Sequence, residues 1–289
     1  MGRDDGQTRI ADQFSSLGER AAIWKAFALF LPTNQFLNVG YSEWYQPHFV
    51  GLSQRRLAER IGSDIAARLG STDGVSLLDI GCGRGGPTLH LATEHGFVTT
   101  GIDLVPCNVS MARRNAAATV DAQFVVGDAL QLPFERDSFN VCTAIDSPPY
   151  LPNKREFLTE MASVTVEDGL VAVSDFVRPE SLSQEARDTV DTFADAWDLA
   201  PIATLEQYKR AIAVSGLHLD AAVDISPNSI ARFQKWTGLY LSLARRGLLK
   251  PVERFLDRRN IDCDAITEQV STTHPALPLL RHVIIYARA

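Results

Sequence analysis

A chain of 289 residues with 45% hydrophobic side chains can bury a sizeable interior, which excludes a disordered or fibrous class. A formal charge of −7 at neutral pH leaves no broad basic face for nucleic acid, so the expected partner is a small molecule that is not polyanionic. The four cysteines, Cys82, Cys107, Cys142 and Cys263, are far apart with no Cys-x-x-Cys pair, which argues against a zinc site and suits a reducing compartment.

The polar start Met-Gly-Arg-Asp-Asp-Gly-Gln has no leader pattern, and no apolar run reaches membrane-spanning length, so a cytoplasmic location is expected. Assembly into a homo-oligomer stays open. Residues 8 to 32 place Ile10, Phe14, Leu17, Ala21, Trp24, Phe27 and Leu31 at helical spacing until Pro32 stops the pattern. The stretch Asn34 to Tyr45 is rich in aromatics and short of helix signals, so it reads as an ordered loop carrying Tyr41 and Trp44. Leu57, Ile61, Ile65 and Leu69 then form one helical stripe.

Residues 77 to 86 read Leu-Leu-Asp-Ile-Gly-Cys-Gly-Arg-Gly-Gly, an apolar strand that ends in an acid and enters a helix through glycines. Asp79, Gly81, Gly83 and Gly85 carry this signal, because a loop without Cβ atoms lets a ligand lie against backbone. A second strand, Val98 to Asp103, ends in an acid at the distance where ribose hydroxyls are met. A third, Ala122 to Val126, runs into Gly127-Asp128-Ala129, which taken alone is an ordinary turn. Strand four, Phe139 to Ile145, precedes Asp146-Ser147-Pro148-Pro149-Tyr150, and strand five, Leu170 to Ser174, ends at Asp175. Strands alternating with helices of this length imply parallel pairing with right-handed crossovers.

Past residue 176 the alternation breaks. Residues 180 to 214 look helical, two further strands are expected at Leu217 to Ile225 and Leu280 to Ala287, and the helices between them form a lid. The expected fold is α/β, a doubly wound, mostly parallel seven-stranded sheet with a helical N-terminal segment and helical lid insertions. It divides into a cap and aromatic loop over 1–70, a cofactor core over 71–176, a lid with the sixth strand near 217–226 over 177–279, and a closing strand over 280–289. Lid residues Phe233, Trp236, Tyr240 and Leu241 lie at helical spacing, mainly for packing, with one or two left to line a substrate pocket.

A dinucleotide loop is usually Gly-x-Gly-x-x-Gly, whereas an acid before Gly-x-Gly-x-Gly repels pyrophosphate and suits a ligand with an ammonium group. On these residues the chain resembles the class I S-adenosylmethionine-dependent methyltransferases of small molecules, including the sugar and natural-product O-methyltransferases and the quinone and tocopherol type. The resemblance implies S-adenosyl-L-methionine as cofactor and S-adenosyl-L-homocysteine as product. It assigns cofactor contacts to Tyr41, Asp79, Gly81, Gly83, Gly85, Asp103, Leu104, Asp128, Ala129 and Asp146. Tyr41 is equally readable as a hydrophobic plug. Trp44, Ser147, Tyr150, Phe233, Trp236 and Tyr240 are the candidate substrate pocket.

For catalysis the candidates are Asp175, Asp146 and Tyr150. Asp175 closes a Val171-Ala-Val-Ser-Asp175-Phe176 pattern that resembles the family's catalytic aspartate, although a helix N-cap fits it equally. Many relatives carry a His-His pair after strand four, and here those positions are Pro149 and Tyr150, which excludes a histidine base there. Ser147-Pro-Pro-Tyr150 instead resembles the motif of exocyclic-amine methyltransferases. The reading is thus O-methylation of a small cyclic or aromatic metabolite, with N-methylation of a planar amine, C-methylation of a quinone-like ring, or a non-catalytic cofactor-binding scaffold as alternatives. Of the six histidines, His48 and His274 fall where they can reach the pocket, His90 and His95 read as packing or capping, and no pair has metal-site spacing, so no metal is expected.

Overall fold

The structure is a computed structural model that describes residues 22–30, 35–49, 51–116 and 121–289. The helical positions Ile10, Phe14, Leu17, Ala21 and Leu31, and the side chain of Phe27, lie outside the described residues. What is described of the N-terminal helix is α1 (Ala22–Phe30), followed by α2 (Leu52–Leu69).

The core alternates as the spacing implies: β1 (Ser76–Ile80), α3 (Gly86–His95), β2 (Val98–Asp103), α4 (Pro106–Asn115), β3 (Ala122–Val126), β4 (Phe139–Ile145), α5 (Lys154–Val164) and β5 (Thr165–Val177). Then come α6 (Gln184–Ala196), α7 (Leu205–Val214), β6 (His218–Asp224), α8 (Ile230–Arg245), α9 (Lys250–Asp257), α10 (Cys263–Ala276) and β7 (Arg281–Arg288). The seven strands form one sheet in the order β3-β2-β1-β4-β5-β7-β6. β1 to β5 pair in parallel, and β7 runs antiparallel between β5 and β6. The strand order reverses direction between β1 and β4, and a crevice opens there at the carboxyl ends of the strands.

Two apolar layers hold the sheet. Leu57, Ile61 and Ile65 of α2 pack with Leu91, Phe97, Leu77, Val141 and Tyr286 on one face. Phe157, Leu158 and Met161 of α5 and Tyr208 and Ile212 of α7 cover Leu78, Cys142, Val171 and Ile285 on the other. Side chains alternate along a strand, so Leu77 and Leu78 serve opposite layers. The helix starts are set by polar caps. Asn153 accepts the Glu156 amide ahead of α5, and Thr204 and Gln207 form a reciprocal capping box ahead of α7.

One boundary differs from the sequence reading with consequences for chemistry. β5 extends to Val177 because β7 pairs with it through Val177↔Arg281, so Asp175 lies inside the strand and not at its end.

Candidate active site

The crevice holds a cleft of about 880 Å³ whose walls come from the ends of β1 to β4. Gly81, with φ 73°, and Gly83, with φ 54°, let the loop after β1 turn back over the sheet. Gly81 also has no room for a side chain, since a Cβ would lie 2.2 Å from the Ser147 Cβ. Asp103, at the end of β2, accepts hydrogen bonds from the Gly83 amide at 2.9 Å, the Val105 amide at 2.9 Å and the Asn108 side chain at 3.3 Å. Burial pushes its carboxyl up, and those three bonds pull back against it. Leu104, Asp128, Ala129, Asp146 and Ser147 complete the wall.

Some candidates lie elsewhere. Asp79 does not line the cleft; its carboxylate accepts from Thr88 at 2.6 Å and Thr143 at 3.1 Å and so ties α3 to β4. Burial, with the Asp103 charge nearby, raises it to about 6. Gly85 faces Ala112 and Phe124 instead of ligand space. Tyr41 is packed with Leu57 and Ile61, donating to Glu43 at 2.6 Å and accepting from Arg60 at 2.9 Å, so the plug reading holds. The loop reaches the cleft through Leu37 and Asn38, which no motif marked. Trp44 is 82% exposed and edge-on to Tyr45, and it does not line the cleft.

A second cavity, of about 730 Å³, adjoins the first, and Leu37, Asn38, Asp146 and Tyr150 line both. Its other walls are Trp24, Phe176, Phe193, Trp197 and Phe233, with Ile23, Leu199 and Leu277. Among the described residues the only carboxylate lining it is Asp146. Of the lid candidates only Phe233 takes part; Trp236 is 41% exposed and Tyr240 bonds Thr267 among the lid helices. His48 and His274 line neither space, being bonded to Ser42 and Thr237.

Asp146 sits at the junction with φ 53° and a side chain 5% exposed. One carboxylate oxygen accepts from Ser174 Oγ at 2.6 Å and His282 Nε2 at 2.9 Å, and the other from the Val39 amide at 3.0 Å. Burial alone would raise its carboxyl, but His282 and the three bonds outweigh that and hold it below the usual carboxylate range. No sequence motif marked His282; its pairing depends on β7 returning beside β5.

Asp175 is the counter-case. Its neighbours Ser174 and Phe176 face the junction, so period-two alternation sends Asp175 through the sheet. There it accepts from Tyr208 Oη and pairs with Lys154 Nζ at 3.1 Å, 1% exposed and lining neither cavity. The polar groups of the amine motif are also committed. Ser147 donates to the Ile80 carbonyl at 2.6 Å, and the Pro148 carbonyl accepts from Lys154 and from the Leu151 amide.

Two buried acceptors on the cleft wall, Asn38 Oδ1 and Asn108 Oδ1, have no partner among the described residues. A ligand bearing an ammonium group and ribose hydroxyls supplies the donors they lack.

A family model described as a methyltransferase domain matches residues 71–216. The chain is 28% identical over 182 residues to a 2-methyl-6-phytyl-1,4-hydroquinone methyltransferase of Synechocystis sp., covering 62% of this chain and 56% of that protein. It is 29% identical over 174 residues to the 27-O-demethylrifamycin SV methyltransferase of Amycolatopsis mediterranei, covering 59% of this chain and 62% of that one. The chain thus spans less than two thirds of the length of either relative. Among solved structures it shares its fold with a geranyl diphosphate methyltransferase (TM-score 0.75, 16% identity, 98% and 99% of the two chains). The [4+2]-cyclase SpnF has the same fold (TM-score 0.70, 20% identity, 96% and 95%).

Proposed function

The chain belongs to the methyltransferase-domain family, and from that premise we propose that it methylates a hydroxyl of a small cyclic or aromatic metabolite, using S-adenosyl-L-methionine and releasing S-adenosyl-L-homocysteine. The observation that carries this reading is an aromatic cavity joined to the glycine-loop cleft at one ionised carboxylate, Asp146. Two relatives whose names specify a hydroquinone and an O-demethylated antibiotic support the substrate class.

The cleft residues fit that donor. Gly81 and Gly83 leave backbone open to it, Asp103 and Asn108 would hold the ribose, Asp128 and Ala129 the adenine, and Asn38 the ammonium group. When bound, the donor supplies a methyl group on a positively charged sulfur. Trp24, Phe176, Phe193, Trp197 and Phe233 hold a planar acceptor and keep water out, which favours alignment of the reacting atoms. Asp146 accepts a hydrogen bond from the acceptor hydroxyl and turns its lone pair toward the cleft. A carboxylate held this low is a weak base, so it takes the proton only as transfer makes the hydroxyl acidic. Ser174, His282 and the Val39 amide keep Asp146 charged and oriented, and Tyr150 flanks it. The commitment of Ser147 and Pro148 to internal hydrogen bonds counts against the amine reading. Of residues 177–279, α6, α8 and α10, with α1, supply the cap over the acceptor, while α7 and β6 belong to the sheet and its other face.

No described helix is long and apolar enough to cross a membrane. With no disulfide joining the four cysteines, a reducing compartment such as the cytoplasm is the proposed location.

The test is incubation of the purified chain with methyl-labelled donor and a panel of hydroquinones and hydroxylated aromatics. The expected product carries the label on oxygen. Label on ring carbon would overturn the O-methyl reading, and saturable donor binding without transfer across the panel would support the scaffold alternative.

A further inference from the structure

Behind the glycine loop, on the far side of α3, three side chains converge that methyl transfer does not use. Glu59 Oε2 of α2 lies 2.8 Å from His90 Nε2 and 3.2 Å from His95 Nε2, both on α3. The ligand atoms all lie within 4.8 Å of one another. We propose that Glu59, His90 and His95 form a site for Zn²⁺ or a similar borderline divalent cation that clamps α2 to α3.

Two imidazoles and one carboxylate with an open fourth position are a donor set suited to zinc. The ring geometry accepts a shared ion. A cation about 2.1 Å from each Nε2 lies about 3.2 Å from each ring centre, and the two centroids stand 6.0 Å apart. The two rings can therefore hold one ion between them at a wide angle. Burial preorganises the imidazoles, with side chains 5% and 11% exposed, while Glu59 at 48% leaves the ion a way in. The neighbouring cation, Arg55, is paired with Glu94 at 2.9 Å, so it does not fill the place beside Glu59.

Gly62 supplies an independent observation. A glycine within α2 costs about 1 kcal/mol against alanine. Yet a Cβ there would lie 2.5 Å from His95 Nε2, so the helix forgoes a better helix former to seat that imidazole. The sequence reading expected no metal because two histidines five positions apart on one helix are not a ligand pair; the third donor comes from α2, 31 residues before His90.

Without an ion, one carboxylate oxygen accepts from both Nε2 atoms, so both rings carry their proton there. Binding moves each proton to Nδ1 or releases it. The site is separate from the proposed methyl transfer, and its test does not depend on that reading.

Chelator-stripped protein is titrated with Zn²⁺ by calorimetry and with Co²⁺ by visible absorption, for wild type, Glu59→Gln and His95→Asn. One ion per chain is expected, with an absorption spectrum of low coordination number and a metal-dependent rise in Tm. Each variant should bind about tenfold or more weakly, while its metal-free Tm stays near wild type. The proposal is overturned if neither ion binds stoichiometrically, or if both variants bind as tightly as wild type, which would place the ion on thiols such as the exposed Cys107.

Discussion

The cleft and the cavity meet at Asp146 but are assembled differently. The cleft takes its walls from the ends of four neighbouring strands, each within a few residues of a glycine or an acid. The cavity takes Ile23 and Trp24 from α1, Phe176 from β5, Phe193 from α6, Phe233 from α8 and Thr273 from α10, segments scattered over most of the chain. A donor site built on backbone and short loops is specified by local spacing. An acceptor site built from side chains of separate elements is specified only by tertiary packing, which leaves it free to change acceptor while the donor site stays fixed.

The sharpest way to break this contrast is Gly81→Val. The new side chain must overlap Ser147 and adopt a positive φ, so donor binding is expected to vanish in calorimetry. Retained binding with near-native affinity would show that the loop backbone does not carry the donor site.

Asp79 tests the same half through stability. Its folded carboxyl is raised to about 6 by burial, so the folded state binds a proton more tightly than the unfolded chain. The native state is therefore favoured at low pH and loses about 3 kcal/mol as pH rises from the unfolded value, near 4, through 6. Asp79→Asn should remove this slope, so wild-type stability minus variant stability falls between pH 4 and 7. Urea unfolding over that range measures it, and parallel curves would count against the buried acid.

On the acceptor side, Phe233→Ala should raise the acceptor KM about tenfold or more while donor affinity is unchanged. Trp44→Ala, at an exposed site that lines neither space, should move stability by less than about 0.5 kcal/mol and activity hardly at all. A larger effect at Trp44 than at Phe233 would reverse the assignment of the aromatic residues.

The alternation of strands and helices, the glycine loop and the place of Asp103 on the cleft could be read from the chain because each sits at a fixed offset from an apolar run, whereas Asp128 was marked only by the family resemblance. Asp146 and Asp175 looked alike on that criterion. They differ because β7 pairs along β5 as far as Val177, extending the strand by one turn of its pleat and sending Asp175 to the opposite face. Trp44, and Tyr41 as a cofactor contact, misled for a related reason: an aromatic loop announces burial or exposure but not direction, and Leu37, Asn38 and Val39 belong to no motif. His282 was invisible because its partner, Asp146, is 136 residues away and reached only through an antiparallel strand return. The cluster of Glu59, His90 and His95 shows the same limit, since a donor set divided between two helices leaves no spacing to find.

The central claim is that the carboxylate at the junction, and not the one across the sheet, serves the transfer. It is tested most directly by turnover of the labelled donor with a hydroxylated aromatic acceptor in Asp146→Asn and Asp175→Asn, each normalised to folded protein. The account predicts a fall in kcat of about 10²- to 10⁴-fold for Asp146→Asn, and turnover within a few-fold of wild type for Asp175→Asn, which loses stability instead. Full turnover in Asp146→Asn beside a collapse in folded Asp175→Asn would contradict it.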